Sequence, residues 1–123
     1  AYVVFGGATL PAEIDLAALG TQGFAIFAPI SETSGLATSI APAGDVNADG
    51  YADLVIGAPF MSLNFPLSGA GYLILGGAGP FADIDLTIPP PDVVTFDGGV
   101  TFAFAGQAIS AAGDMDGDGF GDI

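Results

Sequence analysis

The stretch AGDVNADGYADLVIGAP, residues 43–59, decides how this chain is read, and it returns in shortened form as AGDMDGDGFGDI at residues 112–123. In the first copy oxygen-bearing side chains fall at Asp45, Asn47, Asp49 and Asp53, with Gly50 after the third. In the second they fall at Asp114, Asp116, Asp118 and Asp122, with Gly119 in the same place. Counted from the first aspartate these are positions 1, 3, 5 and 9, with glycine at 6. Carboxylates so close repel one another, and the chain holds no lysine, arginine or histidine to neutralise them. The missing positive charge must come from outside.

Calcium suits this pattern. It takes six to eight oxygen ligands in a flexible shell, which a short loop supplies by turning alternate side chains inward, and glycine permits the sharp turn. The backbone carbonyl at position 7, Tyr51 or Phe120, completes the expected set. An EF-hand would continue to a glutamate at position 12, where Ile56 stands, and would need flanking helices that Pro42, Gly44, Gly57 and Pro59 exclude. Each loop is therefore expected to join strand to strand. A pair of Asx-type turns is the alternative reading, and it would account for one such loop. Two loops of identical spacing in a chain without a basic residue favour the cation. Magnesium prefers few protein ligands, and zinc lacks histidine and cysteine here.

The remaining composition sets bounds. The chain has 123 residues, 51% of them hydrophobic, with a net charge of −14. Seven of the fourteen acidic residues lie in the two loops. The charge excludes nucleic acid, whose phosphates need basic side chains, and anionic membrane surfaces. No apolar run reaches the ~18–20 residues of a membrane-spanning helix, so no membrane insertion is expected. Twenty glycines and nine prolines punctuating short apolar runs are the texture of strands and tight turns. The opening AYVVFGG has neither an initiator methionine nor a basic leader start, and reads as a processed or partial chain.

Further landmarks recur in the same order. AYVVFGG at 1–7 matches GYLILGG at 71–77, and EIDL at 13–16 matches DIDL at 83–86, both offset by 70. GFAIF at 23–27 precedes DVVTF at 92–96 by 69, and the first aspartates of the loops are also 69 apart. The chain thus reads as about one and three-quarter copies of a unit near 70 residues, the first over 1–70 and the second, incomplete, over 71–123. Strands are expected at 2–5, 24–27, 37–40 and 54–56, and at 72–75, 93–96, 101–104 and 108–110. LVIGAP is apolar on both faces, as an interior strand is. The segments around the two IDL tripeptides are expected to be irregular connectors containing a short strand or turn. The ten phenylalanines are read as packing residues, as are Tyr2 and Tyr72 at matching positions.

Residues 34–59, SGLATSIAPAGDVNADGYADLVIGAP, resemble the FG-GAP repeat of integrin alpha-subunit β-propellers and of large bacterial surface proteins. GAGYLILGG at 69–77 and the opening AYVVFGG resemble the strand that follows it in bacterial versions. Ser34-Gly35 and Ala105-Gly106 stand where that family has phenylalanine-glycine, and the second copy stops at Ile123 before its own GAP. The resemblance implies an all-β fold of four-stranded blades around an axis, calcium loops within the blades, and a role in adhesion or recognition. It gives no catalytic residue. Without histidine, cysteine, lysine or arginine the usual nucleophile–base pairs and oxyanion stabilisers are missing. The other acids, among them Glu13, Glu32, Asp83, Asp85, Asp92 and Asp97, show no spacing that singles out a pair.

The function expected is a non-enzymatic, calcium-stabilised, extracellular or cell-surface repeat of structural or adhesive type. Fewer than two units cannot close a propeller, and a lone blade exposes strand edges and a sheet face. Two arrangements answer this. Either copies of the chain complete one another head to tail, strand 2–5 of one adding to the unfinished unit of the next, or the chain is part of a larger propeller that binds a protein or glycan ligand.

Overall fold

The computed structural model describes residues 1–28 and 34–123; Glu32, one of the unassigned acids, lies outside them. Among the described residues there is no α-helix, only one 3₁₀ turn at Gly20–Gln22. The described residues form seven strands: β1 (Tyr2–Val4), β2 (Gly23–Phe27), β3 (Ser39–Gly44), β4 (Asp53–Ala58), β5 (Ala70–Ile74), β6 (Ile84–Asp85) and β7 (Val93–Asp97). They build two open sheets, one in the order β1-β2-β6 and one, fully antiparallel, in the order β3-β4-β5-β7.

The interior strands β4 and β5 carry apolar residues at consecutive positions because both of their faces are covered. Ile56, Ala58, Ala70, Tyr72 and Ile74 turn toward the three-stranded sheet and meet Phe24, Ile26, Ile84 and Leu86 in the main core. The alternate residues Val55 and Leu73 turn the other way and form a second, smaller cluster with Ala43, against which Ile109 packs. This is the period-two partition of a pleated sheet, and it matches the reading of LVIGAP as an interior strand.

The two sheets share a ladder register. In β1–β2, Tyr2 pairs with Ala25, Val3 with Phe24 and Val4 with Gly23. In β5–β7, Tyr72 pairs with Thr95, Leu73 with Val94 and Ile74 with Val93. Every residue of the first set lies 70 positions before its counterpart in the second.

Three strand expectations are corrected. Strand β3 begins at Ser39, not Ala37, since Ala37 sits at φ 67° in a turn, and it runs on through Pro42 to Gly44. Proline is tolerated there because β3 is an edge strand. Residues 101–104 are not a strand. Phe102 and Phe104 both adopt left-handed backbone, φ 60° and 52°, and their N–H groups donate to the carbonyls of Pro66 and Leu67. Residues 108–110 are not a strand either. The IDL connectors are as expected, a turn in the first copy and the two-residue β6 in the second. The packing role holds for Phe5, Phe24 and Phe81, whose ring centroids lie 5.2–5.9 Å apart, but Phe27, Phe60, Phe65, Phe96, Phe102 and Phe120 are exposed.

Candidate metal centre

The first acidic loop joins β3 to β4, leaving the edge strand through an irregularity between Pro42 and Gly44 and entering the interior strand at Asp53. The second is closed at its base by an antiparallel bridge between Gly113 and Asp122. Gly50 and Gly119 take φ 89° and 94°, a conformation that favours glycine and reverses the chain at position 6.

The two loops share one hydrogen-bond plan. The Asp49 N–H donates to Asp45 Oδ1 at 3.0 Å, and the Asp118 N–H to Asp114 Oδ1 at 3.1 Å. The position-6 glycines donate to the other oxygen of the same aspartates, both at 2.9 Å. Asn47 Oδ1 and Asp116 Oδ1 each accept a second bond from the N–H at position 5, at 3.2 and 3.1 Å. Tyr51 and Phe120 donate their N–H groups to Asp49 and Asp118 at 2.9 Å, while their side chains stay exposed. Val46 donates to Asp53 and Met115 to Asp122, both at 2.7 Å.

Such bonds gather the side chains toward the loop interior, but by themselves they would also serve a run of Asx turns. What distinguishes the second loop is convergence. One carboxylate oxygen from each of Asp114, Asp116 and Asp122 lies within 4.8 Å of the others. Asp118 stands outside that trio. Among the described residues no three carboxylates of the first loop converge in this way; its position 3 is the amide Asn47, whose Nδ2 donates to Asp49 Oδ2 at 2.9 Å.

The donor set fits a hard divalent cation. It is all oxygen, and the 4.8 Å limit on its spacing is compatible with Ca–O distances of about 2.3–2.6 Å. When bound, the ion would supply the positive charge that the chain lacks. Asp114, Asp116 and Asp122 would hold it in the second loop, and Asp45, Asn47 and Asp53 are their counterparts in the first.

Asp53 has a role that spacing did not disclose. It is 3% exposed, and its second oxygen accepts the N–H of Gly76 at 2.7 Å. The last acid of the first loop is therefore anchored to the chain just beyond β5. Its counterpart Asp122 is half-buried.

Two acids away from the loops are perturbed. Hydrogen bonds from the Asn64 amide and the Gly99 N–H lower the pKa of Asp97 below the usual carboxylate value, and bonds from Thr87 do the same for Asp85. Burial, with the nearby Asp97 charge, pushes the Tyr72 phenol up to about 12. No paired-carboxylate geometry emerges from these groups.

Residues 36–74, which hold β3, the first acidic loop, β4 and β5, match the FG-GAP repeat family. Over 100 residues, 77% of this chain, the sequence is 32% identical to integrin alpha-PS5 of Drosophila melanogaster, of which it covers 9%. It is 37% identical over 94 residues to integrin alpha-7 of Rattus norvegicus and of Homo sapiens, covering 74% of this chain and 7% of each relative. The chain thus spans less than a tenth of the length of these relatives. It carries an FG-GAP repeat in an all-β fold of open sheets consistent with propeller blades, and over most of its length it is distantly similar to integrin alpha subunits.

Proposed function

We propose that this chain is a non-enzymatic, calcium-stabilised repeat of the adhesion type, working outside cells or at their surface, with one ion held in each acidic loop. The observation that carries this reading is the convergence of Asp114, Asp116 and Asp122 in a chain without a basic side chain. The ligands proposed are Asp45, Asn47, Asp49, the Tyr51 carbonyl and Asp53, and Asp114, Asp116, Asp118, the Phe120 carbonyl and Asp122. The repeat units run over 1–70 and 71–123. Extracellular calcium is abundant enough for loops lacking the position-12 glutamate.

In its finer form the proposal is structural. The edge strand β1 of one copy adds to the unfinished second unit of the next, giving head-to-tail association that does not close. A second reading, supported by the small share of the integrin subunits that the chain spans, makes it part of a larger propeller that presents a protein or glycan site.

Calorimetric titration of chelator-treated protein with calcium tests the metal reading. Two sites per chain are expected, falling to one in Asp114→Ala or Asp45→Ala. Absence of binding heat at millimolar calcium would refute it.

A further inference from the structure

The seam between the two sheets is not equally tight along its length. At the end where β4 Ala58 pairs with β5 Ala70, the inward residues Ala58, Ala70 and Tyr72 are all 0% exposed. At the other end, beside the first acidic loop, Val3, Phe5, Leu54 and Phe81 pack against the same core yet stay half-buried. Between them lies a cavity of about 200 Å³, which the buried side chains of Phe24 and Ile74 also line. No charged or hydrogen-bonding side chain borders it. Its aromatic wall is contiguous. The Phe24 and Phe81 rings are stacked, their planes 15° and their centroids 5.4 Å apart, and Phe5 lies tilted against both.

Backbone holds this space open. Ala52 and Gly76 belong to its lining, and a Cβ at Gly76 would fall 2.4 Å from the Ala52 carbonyl oxygen. The two backbones already touch there, with the Gly76 N–H fixed to Asp53 at 2.7 Å, and cannot close further over the gap. On its far side Phe81, with Phe5, borders a second space of about 330 Å³ beside Gly20, Thr21 and Pro80. That leaves the half-buried Phe81 ring room to yield during entry. An apolar cavity of about 150 Å³ lined by Leu, Ile and Phe stays dry and takes up benzene, because an unfilled void forfeits the dispersion contacts of its lining. The three rings here touch one another and leave no gap between two faces for a cation, as an aromatic cage would. The net charge of −14 opposes an anion. We infer that this cavity binds a small, neutral, single-ring aromatic molecule, held against the Phe5–Phe24–Phe81 wall by edge-to-face or offset stacking. The site lies inside the one interface whose two faces this chain itself supplies. It needs no cation in the acidic loops, so it stands or falls apart from the calcium reading.

Benzene is the probe. In methyl-labelled protein the Val3, Leu54 and Ile74 methyl resonances should shift saturably as benzene is added, while those of Val55 and Leu73, on the opposite face of the sheet, stay in place. No saturable shift up to the solubility limit of benzene, or equal shifts at Val55 and Leu73, would overturn the site. Tetramethylammonium should leave the same methyls unmoved, and binding as tight as that of benzene would overturn the neutral-aromatic assignment. Leu54→Phe places a ring in the cavity and should weaken benzene binding about tenfold. Because an added ring also risks overpacking, Leu54→Ala is the complementary variant. It enlarges the space and should bind the larger indole about tenfold more tightly than the wild type does. Benzene and indole affinities unchanged in both variants would contradict the proposal.

Discussion

Gly57 stands opposite Gly71 across the β4–β5 ladder, and the bare backbone of this pair lets the 105–109 segment lie directly on the sheet. A Cβ at Gly57 would fall 1.9 Å from the carbonyl oxygen of Gly106, and one at Gly71 would fall 2.9 Å from Ile109 Cδ1. The same segment is tied to the edge strand by Ser39, whose Oγ accepts the Ile109 N–H at 3.0 Å. Gly57→Ala should therefore cost about 1–3 kcal/mol through overpacking against backbone. At about 4 °C per kcal/mol for a chain of this size, the melting temperature should drop by roughly 4–12 °C. Gly77→Ala, with nothing near its Cβ, is the control and should change little.

Asp53→Ala should be the costliest single change in either acidic loop. It strands the N–H groups of Val46 and Gly76, both partly buried, beside a side chain that is 3% exposed. Losing bonds to a charged acceptor should cost about 2–4 kcal/mol in chelator, measured by urea denaturation. Asp122→Ala, which strands only Met115 N–H, should cost less than half as much.

Much of the architecture was legible in the chain. The apolar doublets of β4 and β5, the offset of 70 and the spacing of the acids all follow from local patterns that the fold keeps. The failures have physical causes. Alternating small and aromatic residues at 101–104 resemble a pleat, yet left-handed backbone at Phe102 and Phe104 interrupts the extended conformation a strand needs. The strand expected over 37–40 instead runs on through Pro42 to Gly44, because an edge strand's tolerance for proline depends on its place in the sheet. The depth of Asp53 depends on Gly76, 23 residues away, which no spacing within the loop could disclose.

Position 4 of the loops offers a stabilising change. Ala48 sits at φ 57°, whereas its counterpart Gly117 sits at φ 81°. Left-handed backbone costs a residue with a Cβ about 1 kcal/mol, so Ala48→Gly should raise the stability of the unfolding transition by up to that amount. Gly117→Ala should lower it similarly. Equal destabilisation by both would show that Ala48 is not strained.

Tyr72 makes the fold sensitive to alkali. Its phenol is fully buried, has no hydrogen-bond partner among the described residues, and titrates at about 12 in the folded state against 10.0 for the free side chain. The unfolded chain gives up this proton first, so folding stability is intact below pH 10 and declines as pH rises toward 12. Tyr72→Phe should remove that decline while leaving neutral-pH stability equal or slightly higher. Melting curves at pH 7, 10 and 11 for both proteins measure the difference.

The most direct measurement of the central claim is the melting temperature of the wild-type chain with calcium and with excess chelator, at low and at high salt. Cations held among the carboxylates of the two loops should raise it sharply, by about 2.7 kcal/mol of stability per site at a hundredfold excess over the dissociation constant. The gap should be wider at low ionic strength, where the bare carboxylates repel most. Superimposable curves in calcium and chelator at both salt concentrations would contradict the account.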